Sequence, residues 1–273
     1  MAEIQAADVN KLRKATGAGM MDCKKALQES NGDFEAAIDI IRKKGQLVAS
    51  KRADREATEG VVIAKAEGKT GAILVLNCET DFVAKNENFI KFADSILKLA
   101  IDKKPADIQA LKSLPFEGKT VNEKIMEQTG IIGEKIDISD YGTIQAEEVV
   151  SYIHQGNTLA TIVGFSKKVN VQVGKDIAMQ IAAMAPVAID KTNVTAEVIE
   201  KEKEIGREQA RLEGKPENML DKIAEGKLNK FFKESTLLNQ DFTKDSKKTV
   251  QQYLKEADPD LKVIDFKRYS LKQ

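Results

Sequence analysis

Tryptophan is absent from this chain of 273 residues, and histidine occurs once, at His154. A lone imidazole cannot build a His-based metal cluster. Cysteine is scarce as well, with only Cys23 and Cys78. Two thiols in a chain this long are no disulfide framework and cannot complete a Cys-rich zinc site. They read as small buried thiols, because Cys78 ends a strand-like run and Cys23 lies on a short helix. Net charge is also missing: Lys plus Arg number 43, and so do Asp plus Glu. Nucleic-acid binders gain affinity by neutralising phosphates, so without a basic excess no nucleic-acid partner is expected. No apolar run approaches the roughly 20 residues that span a bilayer. Met-Ala-Glu-Ile at the start does not open a secretory signal. These absences point to a cytoplasmic chain with reduced thiols and no membrane partner.

What is present is an ordinary apolar fraction, 42%, and a high charged fraction, 32%. The charge excess suggests long solvated helices. Residues 1–45 read as a bundle of three short helices. Asp8 is placed to cap the first, which ends near Thr16-Gly17; the second runs from Met20 to Asn31-Gly32. Asp33 is placed to cap the third, whose stripe is Phe34, Ala37, Ile38 and Ile41, with Gly45 as its stop. Residues 46–60 are charged and poor in strand formers, so they read as a linker helix. From Val61 and from Ala72 two strand-like runs make a hairpin around Glu67–Gly71, and a helix begins near Glu87. Thr120 and Glu123 have capping-box spacing, and Ile136–Ile138 reads as a strand.

The order hairpin, loop, helix recurs from Val149 to Met184, about 90 residues further on. The core therefore reads as two similar α+β parts: residues 61–145, and residues 146–194 completed by 236–273. Residues 195–235 read as an antiparallel helical hairpin turning at Gly214-Lys215-Pro216. Its seam is expected along Val198, Ile205 and Leu212 on one arm and Leu220, Ile223 and Leu228 on the other. The fold class is thus α+β: an N-terminal three-helix bundle, a duplicated core and a protruding coiled-coil hairpin.

Enzymatic chemistry is hard to find. Gly68-Lys69-Thr70 and Gly118-Lys119-Thr120 each match the end of a phosphate-binding loop. The motif also needs a glycine at the positions held here by Ile63 and Ser113. Turn chemistry accounts for both, so no direct nucleotide binding is expected. Carboxylates are evenly mixed with lysines, as on a solvated surface. No catalytic constellation emerges; neither an enzyme nor a cofactor is expected.

Two features stand out. Thr16-Gly-Ala-Gly-Met20-Met21-Asp22 places adjacent methionines at a helix start. Neighbours on a helix point about 100° apart, so both cannot easily face one core. An exposed thioether suits an adaptable protein contact, whereas a buried one is helix-entry packing. Thr80-Asp81-Phe82-Val83 lies between a strand and a helix. Phe82 there either folds back onto the core, the commoner outcome, or projects as a rigid anchor of the kind that dominates interfaces.

LRKATGAGMMDCKKAL (Leu12 to Leu27) closely resembles the first signature of the elongation factor Ts family, and TDFVAKNENF (Thr80 to Phe89) resembles its second. The resemblance continues through Asn31–Gly45, the segment around His154, the helical hairpin and Ser246–Glu256. It implies an N-terminal domain resembling ubiquitin-associated domains and a non-enzymatic exchange factor for the GTPase elongation factor Tu. In that reading Arg13, Met20 and Met21 grip a helix of the GTPase domain. Thr80, Asp81, Phe82 and Val83 form the loop that inserts its Phe between GTPase helices and leads to loss of the GTPase's Mg2+. His154 matches the family's single core histidine, placed near the phosphate-binding loop side. Two departures are visible. The family's Gly-Arg-Ile-Gly run after that histidine reads Gly156-Asn-Thr-Leu-Ala160 here, and the further C-terminal helix of many members is expected to be absent after Gln273. The alternative is an adaptor that uses the three-helix N-terminus to recognise ubiquitin-like or nascent-chain partners without exchange activity.

Overall fold

The computed structural model describes residues 4–271. It opens with three helices, α1 (Ala6–Thr16), α2 (Met20–Glu29) and α3 (Phe34–Arg52). The Asp33 carboxylate accepts from the Ala36 N–H at 3.0 Å and starts α3. Between α2 and α3 the chain reverses through Asn31 and Gly32, at φ 53° and 87°. Asp8 is not the cap of α1. That helix starts three residues earlier, after Gln5, and Asp8 sits in its first turn, where a negative charge complements the helix N-terminus. Val9, Leu12, Cys23, Ala26, Leu27 and Ala37 form the bundle's small core.

A hairpin follows, β1 (Glu59–Glu67) and β2 (Thr70–Cys78), and then a single helical turn, α4 (Asp81–Ala84). Next come α5 (Glu87–Lys103), α6 (Ile108–Ser113), the two-residue strands β3 (Pro115–Phe116) and β4 (Lys119–Thr120), and α7 (Val121–Ile132). The expected capping box of Thr120 and Glu123 starts α7. α5 buries Phe89, Ala93, Ile96, Leu97, Ala100 and Ile101, a stripe at three- and four-residue spacing.

The expected helix stop at Gly45 does not occur. α3 runs on to Arg52, so the first half of the presumed linker belongs to the same helix. Gly45 serves a contact instead. A Cβ built on Gly130 of α7 would lie 2.3 Å from the Gly45 Cα, so the two backbones cross with no room for a side chain. Glycine signals a helix end only when it takes the left-handed conformation, as Gly17 and Gly133 do at φ 71° and 81°.

The chain continues with β5 (Asp137–Gln145), β6 (Glu148–Ile153), β7 (Leu159–Phe165), α8 (Val171–Met184), α9 (Ala196–Leu212) and α10 (Leu220–Ser235). It closes with β8 (Asp241–Phe242), β9 (Asp245–Thr249), α11 (Val250–Ala257) and β10 (Val263–Ser270). Two sheets have three strands, ordered β1-β2-β5 and β10-β7-β6. In the second, β7 is central and antiparallel to both neighbours, with Ile162 opposite Ser151 and Lys267. The architecture is mixed α+β, with N-terminal helices followed by small sheets interleaved with helices.

The chain divides into two compact units. One holds the residues up to Val62 and Leu74–Tyr141; the other holds Ile63–Ile73 and Gly142–Ser270. In the second unit, Val163 and Phe165 of β7, Ile177 and Ile181 of α8, and Val250 and Leu254 of α11 share one core. Asp176 is buried at its edge and is held by Lys244 at 2.6 Å, Gln172 at 2.7 Å and the Tyr253 hydroxyl at 2.8 Å.

The helical hairpin of α9 and α10 turns at Gly214 and Pro216, but its seam differs from expectation. Ile205 and Leu212 are exposed, while Gly206 and Ala210 are buried opposite Leu220, Ala224 and Leu228. A Cβ on Gly206 would meet the Ala224 Cα at 3.1 Å. The arms approach through small residues, a solution that a search for large apolar side chains misses. Arg207–Asp221 and Arg211–Glu217 pairs, at 2.8 and 3.1 Å, clasp the exposed flanks.

Candidate functional site

Phe82 does not fold back onto the core. It is 83% exposed, on the one-turn helix α4 between β2 and α5. No residue of α4 is fully buried, and Val83 and Ala84 are only half-buried, so packing contributes little to this turn. Polar contacts hold it. Thr80 caps α4, its hydroxyl accepting from the Val83 N–H at 3.4 Å. The same hydroxyl donates to Glu134 Oε1 at 2.7 Å. The N–H groups of Glu79 and Thr80 donate to Glu134 Oε2 at 3.1 and 3.0 Å. On the outer side Lys85 pairs with Asp81 at 2.5 Å, and that hydrogen bond keeps the Asp81 carboxyl below its ordinary range.

Glu79 is part of the same brace. Its carboxylate accepts from the Lys135 N–H at 2.7 Å and from Arg52 Nη1 at 2.8 and 3.0 Å; Arg55 lies 3.7 Å away. The Lys135 hydrogen bond is the largest cause holding Glu79 below its ordinary 4.5, opposed by partial burial and reinforced by Arg52. Beneath the turn the Cys78 thiol donates to the Thr80 carbonyl at 3.2 Å. Burial, with the Glu134 charge nearby, pushes this thiol up to about 12, so it carries no thiolate at neutral pH. Cys23 is fully buried too, and both thiols are structural.

Met20 and Met21 are both exposed, at 53% and 65%, in the first turn of α2. Neither packs into the bundle. Arg13 is exposed in the last turn of α1, so it and the methionines flank the connection at Gly17 and Gly19. The Asp22 carboxylate is tied to Lys44 of α3. This corner of the bundle shows two deformable apolar side chains beside a fixed charge.

His154 belongs to the second unit and is exposed just after β6. Its N–H donates to the Leu159 carbonyl at 2.8 Å, and its Nδ1 lies 2.9 Å from the Tyr152 hydroxyl. Gly156 and Asn157 both take positive φ, 90° and 56°. Asparagine tolerates that region, which accounts for its presence in the altered run after the histidine. The two Gly-Lys-Thr matches are turns as expected, with Gly68 and Gly118 at φ 58° and 78°. Among the described residues no group of three His, Cys, Asp or Glu side chains could hold a metal, and no helix is long and apolar enough to cross a membrane.

Sequence reasoning missed the brace altogether. Glu134 contacts a residue 54 positions earlier, and Arg52 contacts one 27 positions later. Nothing in local periodicity marks either.

Comparison with known proteins gives a consistent answer. Residues 79–273 match the family model described as Elongation factor TS. Porphyromonas gingivalis elongation factor Ts is 52% identical over 265 residues, 97% of each chain. The Christiangramia forsetii protein of the same name is 52% identical over 275 residues, covering 99% of this chain and all of its own length. That of Amoebophilus asiaticus is 55% identical over 270 residues, covering 97% of this chain and 98% of its own. With matches of this extent, the chain belongs to the elongation factor Ts family.

Proposed function

We propose that this chain is a cytoplasmic guanine-nucleotide exchange factor for elongation factor Tu, and that Phe82 is its wedge. Mg2+ bridges and neutralises the phosphates of a nucleotide bound to a GTPase. The ion demands nearly octahedral geometry, so a small shift of the helices carrying its ligands is costly. Losing the ion weakens phosphate binding and GDP leaves. A protein that does this needs no catalytic side chain; it needs a firm grip and a rigid intruding group. Arg13, Met20 and Met21 supply the grip on a GTPase helix. Thr80, Asp81, Phe82 and Val83 supply the intrusion, and His154 faces the phosphate-binding loop side. In the same reading the N-terminal helices are a domain resembling ubiquitin-associated domains, the core is a duplicated α+β unit, and α9 and α10 are a protruding coiled coil.

The observation that carries the proposal is the exposed Phe82 ring on a turn held chiefly by polar braces. A phenylalanine displayed in this way loses the burial energy that normally decides its placement, so it awaits a partner surface. The test is GDP release from elongation factor Tu, followed with a fluorescent nucleotide, using wild type and Phe82→Ala. Only about a sixth of the ring is covered in the free chain, so truncation should cost less than about 0.5 kcal/mol of stability. As an interface anchor the ring carries about 2 kcal/mol or more, which slows exchange by roughly thirtyfold. A variant that melts normally and exchanges normally would refute the wedge. Normal exchange by this variant would favour an adaptor role.

A further inference from the structure

We propose that Glu134 is the positioning residue for Phe82: it fixes the turn that presents the ring, and so sets the exchange rate without itself meeting the nucleotide site. This rests on the wedge reading above and adds to it a second residue, remote in sequence.

One carboxylate does three jobs here. It accepts the N–H groups of Glu79 and Thr80 and the Thr80 hydroxyl, all between 2.7 and 3.1 Å. These amides lie just past the end of β2, where the strand ladder no longer offers partners. Thr80 is thereby gripped on one side by Glu134 while capping α4 on the other. A single helical turn cannot sustain itself, because nucleation costs more than one hydrogen bond returns. α4 offers only the half-buried Val83 and Ala84 as packing in its place. Remove Glu134 and what remains at Thr80 is the weak Cys78 thiol hydrogen bond, the Ala84 N–H on its carbonyl at 3.2 Å and the cap itself.

The bracing is reciprocal. The Lys135 N–H donates back to Glu79 at 2.7 Å, so each strand of the connection supplies a carboxylate to the other's backbone. Glu134 follows Gly133, the left-handed C-cap of α7, and that conformation aims the chain toward Thr80. Helix stability alone would not choose this arrangement. A carboxylate just past a helix C-terminus opposes the helix dipole. A second carboxylate, Glu79, lies in the same connection, and Arg52 and Arg55 offset its charge. The geometry is accounted for by what it holds, the Phe82 turn. An unbraced turn samples other conformations, and apparent affinity falls by the fraction of time the competent one is lost.

The experiment compares catalysed GDP release from elongation factor Tu by wild type, E134A, E134Q, F82A and E134A/F82A. E134A is expected to slow release about tenfold, as a misplaced contact group does. E134Q, which keeps the shape and one acceptor oxygen, should recover part of the loss. In the F82A background E134A should add nothing, since the two act through one ring. Normal release by E134A beside slow F82A overturns the positioning role and leaves the wedge standing. Equal slowing by E134A in both backgrounds also overturns it, because Glu134 would then act by another route. Normal release by F82A overturns both readings. A second readout does not depend on the partner. The chain has no tryptophan, so F82W carries a lone reporter, and E134A should lower its anisotropy in the free protein. Unchanged anisotropy in E134A/F82W and E134Q/F82W overturns the proposal.

Discussion

Replacing Gly130 by alanine places a methyl group 2.3 Å from the Cα of Gly45. No rotamer change relieves that contact, because the obstructing atom is backbone. α3 and α7 must part, and the contacts on either side of the crossing loosen with them. Overpacking of this kind costs about 1–3 kcal/mol. Against it stands the helix-propensity gain of alanine over glycine, about 1 kcal/mol. The net effect is destabilisation of up to about 2 kcal/mol, or a melting temperature lower by up to about 8 °C. Gly226 is the matched control. It too lies within a helix, α10, but a Cβ there meets nothing within 4 Å. Gly226→Ala should therefore stabilise by roughly the propensity gain, about 1 kcal/mol. Thermal melts of the two variants give the sign, and amide hydrogen exchange gives the place: Gly130→Ala should lose protection in α3 and α7. If both substitutions stabilise equally, the close backbone crossing is not there and the account of Gly45 is wrong.

Two further outcomes are expected. Met20→Ala and Met21→Ala should leave melting unchanged within about 0.5 kcal/mol, since both side chains are exposed. Each should weaken binding to nucleotide-free elongation factor Tu, measured by calorimetry; unaltered dissociation constants for both would remove them from the grip. Acid should weaken the chain in a defined direction. Glu79 lies below its ordinary 4.5, chiefly through the Lys135 N–H. Burial raises Asp176, but hydrogen bonds from Lys244, Tyr253 and Gln172 bring it below its ordinary 3.8. Stability from a depressed carboxyl is complete above the unfolded value and is lost as pH falls through the folded one. Melting temperature should hold from about pH 7 to about pH 5 and then drop, and Asp176→Asn with Glu79→Gln should flatten the drop. An equally steep fall in that double variant would place the acid sensitivity elsewhere.

Local chemistry was legible in the sequence and distant chemistry was not. Asp33 caps α3, and Thr120 with Glu123 starts α7, as their spacing indicates, because a cap is decided within three residues. Gly45 misled because the same residue ends helices and permits helices to touch; only the position of Gly130, far along the chain, decides between the two. The hairpin seam misled for a related reason. Its closest approach is made by Gly206 and Ala210, which hydrophobicity scarcely marks, while Leu212 stands exposed. The candidate site was half visible. The types and spacing of Met20, Met21 and Phe82 drew notice, yet sequence left open whether Phe82 was core or projection. Glu134 and Arg52, which brace the connection at Glu79 and Thr80, carry no local signature at all.

The continuity of α3 has a mechanical consequence. Its 19 residues make a rod about 28 Å long. Just past its midpoint Lys44 is tied to Asp22, one residue beyond the methionine pair; at its C-terminal end Arg52 is tied to Glu79, one residue before Thr80. The methionine corner and the Phe82 turn are thus tied to one helix, about 12 Å apart along its axis, with the Gly45–Gly130 crossing beside the first tie. Under the proposed grip and wedge, strain at the methionine corner passes to the Phe82 turn through continuous helix instead of a slack tether.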